Sequence, residues 1–88
     1  MARSTRISHY NVIFREEPEG GFTASVPTLP GCVTYGKDLQ EAKKMVRDAI
    51  TAFIQSLKKH KEPVPTDDNT VTGYIDIQDV KTSRTYAS

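Results

Sequence analysis

Apolar residues recur along this chain at two spacings, every second position in short stretches and every third or fourth in one long one. Tyr10, Val12 and Phe14 alternate with Asn11, Ile13 and Arg15, the pattern of a strand with one face more apolar than the other. Glu16 to Gly21, with Pro18 and two adjacent glycines, reads as a hairpin loop. Phe22, Ala24 and Val26 form the answering strand, with Thr23 and Ser25 on its other side. Pro27-Thr28-Leu29-Pro30-Gly31 stops it, because neither proline can donate to a ladder. Cys32 to Tyr35 then reads as a third short strand.

The long spacing begins directly behind. Leu39, Ala42, Met45, Val46, Ala49, Ile50, Phe53, Ile54 and Leu57 form one continuous apolar helical face. Asp38 stands where a capping carboxylate accepts from the first free amides, and Glu41, three residues on, completes a capping box. Pro63 and Pro65 prevent continuation, which places the helix end between Lys59 and Lys61.

Thr66 to Thr70 is a polar connection, after which Val71, Gly73, Ile75 and Ile77 share one side of a last predicted strand, with Thr72, Tyr74 and Asp76 opposite. A long helix between two strands suits a right-handed crossover if the first and fourth strands are parallel neighbours. The expected fold is α+β, a β-β-β-α-β domain over residues 1–77 with a mostly antiparallel sheet covered on one face by one helix. Residues 78–88 form a tail, ordered only by oligomerisation.

Composition narrows the function by exclusion. At 88 residues with 36% hydrophobic and 26% charged content the chain fits one small globular domain. Twelve basic and eleven acidic side chains leave a net charge of +1, so no global field attracts a phosphate backbone. The basic Lys58, Lys59 and Lys61 fall at the helix end, where cations offset the macrodipole. A single cysteine, Cys32, permits no internal disulfide and suits a reducing cytoplasm. No secretory signal and no run long enough for a membrane span is present.

Catalytic and metal-binding patterns are missing too. His9 and His60 have no histidine four residues on and no nearby cysteine, and Cys32 has no basic neighbour in sequence. Asp67-Asp68-Asn69 lacks the spacing and closing glutamate of a calcium loop and reads as a turn. No catalytic residue, cofactor or metal site is expected.

The hairpin, then F-T-A-S-V-P-T-L-P-G-C, then G-K-D-L-Q-E-A, and a helix closing on K-K-H-K-E-P-V-P resemble the HicB family of antitoxins from about Tyr10 to Pro65. The resemblance implies a partially degenerate ribonuclease-H-like fold. It also implies binding to a HicA-type messenger-RNA-cleaving toxin, whose own fold carries a catalytic histidine. Many family members append a DNA-binding domain. Here eleven residues follow Ile77, too few for a helix-turn-helix, so direct DNA binding stays open, with a short ribbon built by dimerisation as its route. The alternative is a stand-alone protein-interaction domain of the same fold.

Two sets of surface candidates follow. For the toxin they are Pro27, Leu29 and Pro30 on the stiff turn, with Leu29 expected to be exposed, and the acidic Glu16, Glu17, Asp38 and Glu41 as complements to an RNA-binding face. For self-association into a homodimer or dimer of dimers they are Ile13, Tyr35 and Tyr74 on the uncovered sheet face, with Val80 and Tyr86 in the tail.

Overall fold

The computed structural model describes residues 7–79. Its elements are β1 (Ile13–Glu16), β2 (Phe22–Ser25), β3 (Val33–Gly36) and α1 (Leu39–Lys59). The strands form an antiparallel meander in the order β1-β2-β3, with Glu16, Phe22 and Gly36 in one row and Ile13, Ser25 and Val33 in another.

Each junction has a local cause. The β1–β2 turn closes through the Glu17 amide on the Gly21 carbonyl and the Gly20 amide on that of Glu17, both at 2.9 Å. Between β2 and β3 the amides of Val26, Leu29 and Cys32 donate to the carbonyls of Cys32, Val26 and Leu29 at 3.1, 3.0 and 2.9 Å. Gly31 turns that loop at φ +89°, a conformation that favours glycine.

Both helix ends are capped. The Glu41 amide donates to Asp38 Oδ1 at 2.8 Å, while Glu41 Oε1 accepts from the Lys37 amide at 2.7 Å, one residue before the usual capping-box partner. At the other end the Lys61 amide reaches the Lys58 carbonyl and the Glu62 amide that of Leu57, at 3.0 and 2.8 Å. This is a Schellman closure with Lys61 in the left-handed region at φ 57°.

The helix packs over β3 and β2, and the core between them is Ala24, Val26, Leu29, Cys32, Ala42 and Val46. Tyr10, Val12, Phe14, Phe22, Ala49, Ile50, Phe53 and Leu57 surround it, partly buried. Leu39 and Met45, on the expected apolar face, remain exposed. Both lie in the first two turns beside buried Ala42 and Val46, at the margins of the apolar stripe, so the narrow sheet covers its centre and leaves its flanks open.

The predicted fourth strand is not formed. Residues 71–79 carry no strand, and Val71, Tyr74, Ile75 and Ile77 are 80–94% exposed. Alternation makes a segment fit for a sheet, but a strand exists only against a neighbour, and the arm leaves the body without taking one. The architecture is therefore a three-stranded antiparallel sheet with one covering helix. Val80 and Tyr86 lie outside the described residues.

Candidate partner-binding surface

The stiff turn does not present its leucine. Leu29 is 0% exposed, so it leaves the set of surface candidates, while Pro27 and Pro30 on either side face solvent. A loop bounded by two prolines fixes itself to the domain by inserting the apolar residue between them. Its rim is held rigid from below.

The four acidic candidates gather at one end of the sheet. Glu16 closes β1 in the same row as Gly36, where β3 gives way to the helix start. Glu16 is exposed; Glu17 accepts from the Thr23 hydroxyl at 2.6 Å and lies 3.6 Å from Arg15 Nε. Asp38 and Glu41 are engaged in the helix cap. Pro27 and Pro30 follow the far end of β2, about 10 Å away along four residues of strand. The toxin candidates thus divide between two ends of the sheet.

The self-association candidates divide as well. Ile13 and Tyr35 share the open face with Val33, each between 54% and 57% exposed. The Tyr35 hydroxyl donates to the Gly20 carbonyl at 2.9 Å, tying β3 to the β1–β2 turn across that face. Tyr74 stands on the arm instead, 94% exposed.

One residue important to the surface carries, in the sequence, only the signal of a turn. Asp67 is 5% exposed and joins three parts of the chain. Its Oδ2 accepts from the Asn11 amide at 2.8 Å, its Oδ1 from the Thr28 hydroxyl, and its own amide donates to the His9 carbonyl at 2.8 Å. Beside it the His9 amide donates to Asp68 Oδ1 at 2.8 Å, and the Tyr10 hydroxyl to the Pro65 carbonyl at 2.6 Å. The knot ties the segment after the helix to the β1 lead-in and to the proline loop.

The Asn11 amide first, and then the Thr28 hydroxyl, hold the Asp67 carboxyl below the usual carboxylate range. Because the folded pKa is depressed, the unfolded chain binds the proton more readily. The stabilisation is complete above the ordinary aspartate value of about 3.9 and is lost as pH falls through the folded pKa beneath it. Urea unfolding between about pH 6 and pH 2.5 should therefore show an acid limb that flattens in Asp67→Asn. Equal acid slopes in the two proteins would remove Asp67 from this role.

Reactive chemistry finds little support in this geometry. Burial pushes the Cys32 thiol up, away from thiolate. Among the described residues no group of three or more histidine, cysteine or carboxylate side chains is placed to hold a metal ion. None of the described helices is long and apolar enough to cross a membrane.

Comparison with known proteins agrees with a small binding domain. A UPF0150 protein of Thermoplasma acidophilum is 47% identical over 58 residues, covering 66% of this chain and 84% of that protein. Another, from Synechocystis, is 36% identical over 63 residues, covering 72% and 80%. A third, from Helicobacter pylori, is 34% identical over 62 residues, covering 70% and 86%. Residues 10–84, from the β1 lead-in through the knot and the arm, match the family described as HicB_like antitoxin of bacterial toxin-antitoxin system, and the chain belongs to that family.

Proposed function

We propose that this protein inhibits a HicA-type messenger-RNA-cleaving toxin by covering the surface with which the toxin binds and cuts RNA. Membership of an antitoxin family, over residues 10–84, is the observation that carries the reading. It gives the chain a general antitoxin or protein-interaction role, non-catalytic in kind. The meander with its covering helix is read in the same way, as the remnant of a ribonuclease-H-like fold. On β1 the one carboxylate is at the last residue, Glu16, whereas two-metal phosphate chemistry needs several that converge.

Inhibition then rests on shape and charge. A toxin that binds RNA presents a basic face, and Glu16 and Glu17 on the β1–β2 turn supply the complementary sign. Such charges steer encounter more than they fix affinity. Pro27 and Pro30 frame a loop held by three backbone hydrogen bonds and by buried Leu29, so docking against it orders little that is not already ordered.

The test uses a HicA-type toxin ribonuclease, sought in the gene adjacent to the one for this chain. Equimolar addition should abolish its RNA cleavage and the two proteins should co-purify. Undiminished cleavage, with no complex formed, would overturn the proposal.

A further inference from the structure

The helix covers β3 and β2 and leaves the neighbouring side of β1 as an open trough. Two hollows of about 430 and 350 Å³ lie there, sharing Ser8, Tyr10 and Ile50. Val12 and Phe14 form one wall, and Val46 and Ile54 belong to the other. Beside the trough runs a free sheet edge, since the strand order β1-β2-β3 gives β1 a single neighbour among the described residues.

The same chain displays a strand without a sheet. From Val71 to Ile77 it alternates Val71, Gly73, Ile75 and Ile77 with Thr72, Tyr74 and Asp76. Val71, Ile75 and Ile77 are 94%, 82% and 80% exposed. Three β-branched side chains on one face of an extended segment match what an apolar trough beside a sheet edge takes up.

The arm is long enough as well. Val71 to Ile77 is seven residues, about 23 Å when extended, which more than spans the four residues of β1, Ile13–Glu16. The root of the arm is fixed. Asp67 is bonded to His9, Asn11 and Thr28, and the Thr70 amide closes on the Asp67 carbonyl at 2.9 Å. Every copy therefore presents an arm from a fixed point and, a short distance away, a free β1 edge that the arm is long enough to span.

We propose that the occupant is a second copy of this chain. Residues Val71–Ile77 of each protomer add a strand to the β1 edge of the other, with Val71, Ile75 and Ile77 over the trough. Giving and receiving are reciprocal, so two copies satisfy both arms and both edges and the assembly closes as a dimer. The exchange supplies the fourth strand from outside the chain. It does not depend on the toxin, because donor and acceptor are both on this molecule.

The test compares the full chain with an Ile75→Asp/Ile77→Asp variant. Both positions are exposed in the single chain, so the fold of 7–70 should survive, as unchanged far-UV circular dichroism would verify. Sedimentation equilibrium should give a dimer for the full chain and a dissociation constant raised about tenfold or more in the variant. Hydrogen exchange should lose protection over residues 13–16 in the variant and keep it over 33–36. The chain contains no tryptophan, so Ile77→Trp adds a single indole reporter whose emission should shift to the blue as dimer forms. A monomeric full chain at tens of micromolar, whether the indole is exposed or shielded against its own β1, overturns the proposal. So does a variant dimer of unchanged affinity, which would place the interface elsewhere, and so does lost protection at β3 instead of β1.

Discussion

Replacing Leu29 by alanine should destabilise the folded chain by about 2–5 kcal/mol. Leu29 is the largest fully buried side chain among the described residues, and its truncation removes apolar contacts while leaving a cavity that the rigid loop cannot close. The prolines on either side hold the backbone, and the Leu29 amide and carbonyl are bonded to Val26 and Cys32, so relaxation into the space is limited. At roughly 0.05–0.15 kcal/mol per residue, a chain of 88 residues has about 4–13 kcal/mol in total. The substitution thus takes a large share. Thermal unfolding followed by circular dichroism should lose at least about 8 °C at the midpoint, and the urea midpoint should fall with an unchanged slope. A leucine held out for a partner would behave differently, because an exposed truncation usually stays within about 0.5 kcal/mol. An unchanged midpoint would return Leu29 to the surface.

Why the sequence misplaces Leu29 is instructive. Alternation assigns Ala24 and Val26 to the covered face, and spacings of three and four assign Ala42 and Val46, all four of which are buried. A single leucine between two prolines belongs to no period, so nothing local tells whether it points in or out. The helix was legible for the opposite reason: Asp38, Glu41, Pro63 and Pro65 mark its ends with side chains that act within a few residues. Its observed span, Leu39–Lys59, follows those marks.

Contacts between distant parts were the illegible ones. Asp67 lies 56 residues from Asn11 and 39 from Thr28, and Asp-Asp-Asn in a polar stretch carries the ordinary signal of a turn. The predicted last strand failed at the same step. Its alternation is plain from Val71 to Ile77, but pairing is a property of two segments, and the pattern of one does not name the other. Of the surface candidates, the capping role of Asp38 and Glu41 could be read locally. The separation of the acidic end from Pro27 and Pro30 required the register of all three strands.

That register also sets the second large effect, at the junction of β3 and the helix. Gly36→Ala should destabilise the protein by about 1–3 kcal/mol, against the direction that strand propensity alone would give. Alanine within a strand or helix is ordinarily favoured over glycine by about 0.5–1 kcal/mol. Here an added Cβ would meet the Ala42 amide nitrogen, and would lie 2.6 Å from Ala42 Cα and 2.8 Å from the Glu41 carbonyl carbon. These are backbone atoms of the first helical turn, not the end of a side chain that can swing away. To admit the methyl group the turn must lift from β3, which disturbs buried Ala42 and the bond from the Glu41 amide to Asp38. In matched urea titrations of the parent and the variant, Gly36→Ala should unfold at the lower midpoint with an unchanged slope. Stabilisation by Gly36→Ala would mean that the helix does not seat against β3 at this point, and the close packing described for that corner would be wrong.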